Sequence, residues 1–227
     1  MYRKRLGLLS EGAASQAHVN FFGGSPLNRL SWLRTSQYFL NSIVASPTTR
    51  WILFKSGQPL LVSEPETKKR SLAYLTTADV RPLLGTEPFF SQGENDSDAA
   101  PSDVTVLEAA RFRGPGIVFL GLHEPESATH ALPSSDFNAK ADAEAVVKKL
   151  QGTPYFALDV TRLEKTAINT VLESAEVSQS SKTLVFTETR QAMNSFDYFE
   201  GGVVAEARAM VDWNSRNRVR PLLVLRA

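Results

Sequence analysis

Thr49-Arg-Trp-Ile-Leu-Phe-Lys55, Ser56-Gly57, Gln58-Pro-Leu-Leu-Val62 is the stretch on which the fold turns. Two apolar runs of strand length flank a Ser-Gly pair, the pattern of a hairpin with a tight turn. Proline has no N–H for a ladder, so Pro59 marks the start of the second strand or a sheet edge. Upstream the period is helical. Ser25-Pro26 reads as a helix start, with serine as N-cap and proline at the first helical position; Leu27, Leu30 and Leu33 follow at helical spacing. A second short helix runs to Ala45, with Phe39, Leu40, Ile43 and Val44 on one face, and Ser46-Pro47 ends it.

Downstream, strands and helices alternate irregularly. Ser71–Leu75 is a third strand, and Gly116–Leu122, apolar between glycines, is a buried one. Ala139, Ala143, Val146, Val147 and Leu150 trace one helix face, while Lys140, Asp142, Glu144 and Lys148 point outward. Gly152 and Pro154 stop that helix, and Tyr155–Asp159 is the next strand. Thr161-Arg-Leu-Glu164 has capping-box spacing and opens a helix carrying Leu163, Ala167, Ile168, Val171, Leu172 and Ala175. Thr183–Thr187 is a short strand. The last helix covers about residues 196–217, with Phe199, Val203, Ala207 and Met210 in one stripe and Arg208–Asp212 and Asp212–Arg216 as i,i+4 pairs. Trp32, Trp51 and Trp213 are read as core anchors. These elements predict an α+β fold: a mixed twisted sheet with flanking helices in a single domain. Residues 1–20 read as a flexible N-terminus, 21–217 as the domain and 218–227 as a divergent tail.

Composition narrows the function classes. The chain has 227 residues and a formal charge of +1, from 25 Lys+Arg against 24 Asp+Glu. That balance gives no bulk field for nucleic acid or an anionic membrane, and neither partner is expected. With no Cys there is no disulfide framework, no thiolate zinc site and no cysteine nucleophile. No apolar run approaches the roughly 20 residues that span a bilayer.

Two glycine-rich turns are candidate phosphate sites. Gly23, Gly24 and Ser25, with Arg29 close behind, put N–H groups and a cation at a helix start, where an anion is favoured. The ordinary reading, a capped helix after a turn, is preferred, because the stretch is no Walker loop and follows no evident strand. Arg111 and Arg113 flank Phe112 before Gly114-Pro-Gly116. They can clamp phosphates, or pair with Glu108 and Asp103 while the ring packs inside. The acidic loop Ser91–Asp103 lacks calcium-loop spacing. His123-Glu124-Pro-Glu126 lacks the second histidine of a zincin and reads as a solvent-facing loop. No catalytic residue and no metal ligand is assigned.

Two further stretches carry a family resemblance. Ala207-Arg-Ala-Met-Val-Asp-Trp-Asn-Ser-Arg-Asn217 resembles the helix that leads into the zinc ribbon of NADH pyrophosphatases. Phe21-Phe-Gly-Gly-Ser-Pro-Leu-Asn-Arg-Leu-Ser-Trp-Leu-Arg34 resembles the Gly-x-Pro-Leu-x-Arg segment that opens the N-terminal, Nudix-like domain of the same family. The resemblance covers about residues 20–217. It implies a parent enzyme that hydrolyses NADH to NMNH and AMP, acts on related dinucleotides and NAD-capped RNA, uses Mg²⁺ or Mn²⁺ with a structural Zn²⁺, and forms a homodimer. The family's catalytic element, Gly-x5-Glu-x7-Arg-Glu-x2-Glu-Glu-x-Gly, gathers metals on clustered carboxylates. This sequence has no Arg-Glu and no Glu-Glu dipeptide. Arg218–Ala227 replaces the aromatic and Cys-Pro-x-Cys stretch of the family, and a cut in the reading frame before the ribbon and the Nudix box is expected to explain it. The chain is therefore expected to be an intracellular, non-catalytic scaffold and dimerisation domain, without a cofactor of its own, in the cytoplasm or, as in relatives, the peroxisome. Its expected partner is a second copy or a full-length relative. The rival is a stand-alone nucleotide-binding or regulatory module that associates with full-length family members.

Overall fold

The computed structural model describes residues 25–67, 69–85, 89, 115–124, 143–180 and 182–217. β1 (Arg50–Lys55) and β2 (Gln58–Ser63) form the expected hairpin. Its turn puts Ser56 at φ 52 and Gly57 at φ 75, the left-handed pair that matches strand twist in a two-residue loop. Serine is uncommon there, and its amide is held by Thr161 Oγ1 at 2.7 Å.

The hairpin is paired only at its tip, Phe54 with Pro59 and Lys55 with Gln58. Beyond it the strands diverge and the chain from residue 70 to 75 enters the gap. β3 (Arg70–Leu72) pairs antiparallel with β2. Ala73 N donates to Leu60 O, and Leu75 exchanges hydrogen bonds with Trp51. On the other side of β1, β5 (Thr153–Asp159) runs parallel, and β4 (Gly116–His123) lies antiparallel beyond it. β6 (Thr183–Phe186) pairs antiparallel with β2. The order is β3-β2-β1-β5-β4, with β6 joined to β2. This is the mixed sheet of an α+β fold.

Alternation along the strands makes two cores. Trp51, Leu53, Phe119, Phe156 and Leu158 face one side. Ile52, Phe54, Leu120, Tyr155 and Ala157 face the other. The first side is packed by α1 (Gln37–Val44), α2 (Thr77–Leu84), α3 (Ala143–Lys149) and α4 (Lys165–Ser174), through residues such as Ile43, Val80, Val146 and Ile168. Trp51 stacks on Phe156 at 4.9 Å, and its indole N–H donates to Thr77 Oγ1. The second side is covered by α6 (Tyr198–Arg216) through Val203, Val204, Ala207 and Val211. Asp197 caps α6 by accepting from Glu200 N at 2.8 Å. The short α5 (Thr189–Ala192) links β6 to that helix by way of a 3₁₀ turn.

Several expectations are corrected. Residues 25–35 form bends, a β-bridge and a turn, not a helix; Ser25 Oγ accepts from Leu27 N two residues on, a local bond that competes with helix. Thr161 does not cap α4. Its hydroxyl donates to Asp159 and accepts from Ser56, and α4 starts after Glu164 with no side-chain cap. Trp213 is 62% exposed, unlike Trp32 and Trp51. His123 ends β4 and meets the Phe199 ring at 4.8 Å, so it is exposed but no loop residue. The expected stripe of Phe199, Val203, Ala207 and Met210, by contrast, does share one face, which packs on the sheet and is continued by Val211. Helix α2 has no counterpart in the sequence reading: Pro82 hides it, although Thr76 and Asp79 form a capping box. Residues 139–142, where the third expected helix begins, lie outside the described residues.

The free edge of β3 is guarded by Glu200, whose Oε1 accepts from Leu72 N at 3.2 Å. Burial pushes the Glu200 carboxyl above its usual range, and the Leu72 N–H partly opposes that. The folded chain therefore holds this proton to higher pH than the unfolded chain. The side chain's contribution falls as pH rises from the ordinary carboxylate range through the raised folded value. Glu200→Gln keeps the acceptor and removes the charge. Relative to the unaltered chain, the variant is expected to gain stability between about pH 4 and pH 7. Urea unfolding at both values checks it; a difference that stays constant marks Glu200 as solvated.

Candidate functional site

Residues 25–34 lie across the outer edge of β4. Asn28 N donates to Leu122 O at 2.8 Å, and Leu122 N donates back to Asn28 O at 2.9 Å. Asn28 Nδ2 donates to Glu124 Oε2. Gly121 permits this approach. A Cβ there would stand 2.7 Å from Asn28 O and 2.9 Å from Leu27 Cβ, distances at which something must move. The ladder between β4 and β5 shifts register between Phe119 and Gly121, as at a bulge.

From that edge two arginines reach α6. Arg29 Nε lies 3.2 Å from Glu206 Oε1, and its guanidinium meets Met210 Sδ at 3.7 Å. Arg34 lies 3.9 Å from the same carboxylate, donates to Leu120 O and to Arg29 O, and sits over the Phe119 ring. Burial, then the like charge of Arg29, lowers the Arg34 pKa; Glu206 opposes both. The Glu206 side chain is only 9% exposed. Neither of its oxygens makes an aligned hydrogen bond among the described residues, so its contacts are ionic. Such a carboxylate depends on its cations, because a buried charge without them is costly.

Beside this cluster a groove of about 1310 Å³ runs along α6, lined by Ser25, Arg29, Gly57, Thr161, Arg162 and Arg208 among others. Arg216, also in its lining, is paired with Asp212 at 2.9 Å. Arg162 and Arg208 form no ion pair or hydrogen bond among the described residues. Two open guanidinium groups beside hydroxyls can hold an anion. A metal does not fit the residues described: no three His, Asp or Glu side chains gather among them, and the chain has no Cys. Among the described residues no helix is long and apolar enough to cross a membrane.

Of the residues singled out in the sequence, Ser25 and Arg29 line one groove. Gly23, Gly24, Arg111 and Arg113 lie outside the described residues. Sequence reasoning missed Arg34, Arg162, Arg208 and Glu206, and the expected Arg208–Asp212 pair is not made among the described residues, because Asp212 is taken by Arg216. Glu206 carried a signal, since it stands between Val203 and Met210 on the helix that buries its apolar face.

Residues 48–213 match the NADH pyrophosphatase-like rudimentary NUDIX domain. The chain belongs to this family. The chain is also similar, over most of its length, to two curated yeast proteins. It is 27% identical over 205 residues to an NAD-capped RNA hydrolase of Schizosaccharomyces pombe, covering 90% of this chain and 45% of that protein. It is 24% identical over 209 residues to the NAD-capped RNA hydrolase NPY1 of Saccharomyces cerevisiae, covering 89% and 46%. The chain thus spans about half the length of the curated relatives it matches. The matched span takes in the whole sheet and most of α6, and the Asn28–Arg34 latch lies just before it.

Proposed function

We propose that this chain is a non-catalytic scaffold and dimerisation unit of the NADH pyrophosphatase type. One observation carries the reading: the span that matches a rudimentary NUDIX domain contains no Arg-Glu or Glu-Glu dipeptide. Attack on a pyrophosphate in this family's manner needs carboxylates clustered on one helix to gather divalent metal. On this reading the chemistry, NADH and water to NMNH and AMP, or removal of an NAD cap from RNA, belongs to a whole enzyme that brings its own Mg²⁺ or Mn²⁺ and structural Zn²⁺. This chain adds no cofactor. It pairs with a second copy or a full-length relative, inside the cell, in the cytoplasm or the peroxisome.

The purified chain is expected to release no NMNH from NADH with Mg²⁺ or Mn²⁺. Release that scales with chain concentration and survives repurification overturns the non-catalytic reading. Sedimentation over rising concentration is expected to show a dimer.

A second reading, a nucleotide-binding or regulatory module, is favoured by the open Arg162 and Arg208 beside Ser25 and Arg29. Titration calorimetry separates the two. Saturable heat with NADH that disappears in Arg162→Ala/Arg208→Ala supports the module; no heat leaves the scaffold alone.

A further inference from the structure

The sheet has three outer edges among the described residues, and two are closed. On β4, Asn28 pairs with Leu122 and Arg34 donates to Leu120 O. On β3, Glu200 takes the Leu72 N–H. The third is β6, which pairs with β2 alone. The direction of its free groups follows from the ladder. Thr187 N donates to Pro59 O, and Ala73 N donates to Leu60 O. Hydrogen-bonded pairs alternate along antiparallel strands, so Pro59, Leu61 and Ser63 face β6 while Leu60 faces β3. Within β6, Thr183 and Val185 then turn their backbone groups to β2. Leu184 and Phe186 turn theirs outward, where no described strand meets them. Val185 is 45% exposed, while Leu184 and Phe186 pack toward the first core. Exposed β-edges are templates for pairing with another strand.

We infer that the outer edge of β6 is the dimer contact, with β6 of one chain pairing antiparallel to β6 of a second copy about a twofold axis through Val185. This rests on the dimerisation reading above and assigns it a surface. The strand is self-complementary in this one register. Leu184 stands opposite Phe186 of the second copy, and each such pair exchanges both N–H···O bonds. Val185 meets its own copy at a non-hydrogen-bonded position, where side chains come closest and β-branched pairs suit the pleat. The same register puts Lys182 opposite Glu188 of the second copy, twice over. Lys182 already reaches Glu64 at 3.5 Å, with both side chains about 40% exposed, and Glu188 makes no side-chain cap bond to α5. Moving the register by one residue loses the charge match and turns the hydrogen-bonding groups away from each other. An isologous contact of this kind closes on itself and forms no fibre.

The test is sedimentation of the full chain and its variants, with circular dichroism to confirm folding. Val185→Lys sets like charges face to face on a side chain already half in solvent. It is expected to raise the dimer dissociation constant about tenfold or more. Lys182→Glu and Glu188→Lys are each expected to weaken self-association, since each sets like charges opposite one another. Mixed together they are expected to associate. The acid introduced in the first variant then faces the base introduced in the second, and the unaltered Glu188 of the first faces the unaltered Lys182 of the second. A dimer unaffected by Val185→Lys, or a mixture that associates no better than its components, overturns the β6 assignment and leaves dimerisation standing. A chain monomeric at every concentration overturns both.

Discussion

Arg34→Ala is expected to destabilise the chain by about 3 kcal/mol, a drop of roughly 6–12 °C in Tm for a domain this size. The guanidinium is four-fifths buried and does two jobs at once. It satisfies Leu120 O on a sheet edge, and it is one of two cations around a carboxylate that no hydrogen bond holds among the described residues. Losing it strands a buried acceptor, worth about 1–3 kcal/mol. It also leaves Glu206 with Arg29, whose own side chain is 55% exposed and screened by solvent. Adding Glu206→Gln to Arg34→Ala should recover part of the loss, because the charge that needed a partner is gone. Denaturant unfolding of the two single variants and the double variant reads this coupling. A loss below about 0.5 kcal/mol, typical of an inert surface site, would show that the cluster is hydrated and that the latch is held by the Asn28 bridge alone.

The second large effect is at Gly121. One methyl group there meets backbone at 2.7 Å and a side chain at 2.9 Å. The obstacle is no flexible tip, so either β4 or the 25–34 segment must shift. Gly121→Ala is expected to cost about 2–3 kcal/mol, in line with overpacking. The loss has an address. The Asn28 amide, protected by Leu122 O, should exchange quickly with solvent while amides of β1 and β5 stay protected. Uniform loss of protection across the sheet would place the strain in the core, and unchanged protection at Asn28 would mean that the close approach is not needed.

How much of this is legible in the chain depends on the range of the forces. The hairpin, the buried strands and the amphipathic faces are readable because a local period records which side is buried. Five of the six described strands fall on apolar runs visible in the sequence; the sixth, Arg70–Leu72, overlaps only the start of the stretch read as Ser71–Leu75. The elements that escape are those decided by distant partners. Leu27, Leu30 and Leu33 keep helical spacing, yet they are buried by a segment whose backbone bonds go to Leu122, more than ninety positions away. Thr161 looks like an N-cap, but the hairpin turn at Ser56 claims its oxygen. Trp213 reads as core by residue type alone; its position faces away from the stripe that packs. The candidate groove is half legible. Ser25 and Arg29 are marked by a motif, whereas Arg162 and Arg208 sit on separate elements, and no local pattern joins them.

The pairing of β1 has a consequence for how the chain is made. β1 has its hairpin partner at once, but its parallel neighbour β5 lies about a hundred residues further on. At ribosomal speeds of about 5–20 residues per second, one flank of β1 stays open for roughly 5–20 s. During that interval Trp51 has no Phe156 to stack on, and Ile52 and Phe54 have no α6 above them. The apolar run Trp51–Phe54 is then the most adhesive part of the nascent chain. Yield of folded protein should depend on how that run is shielded while the rest is synthesised, and slower, cooler expression or a holding chaperone should act on this interval before it acts on anything in the finished fold.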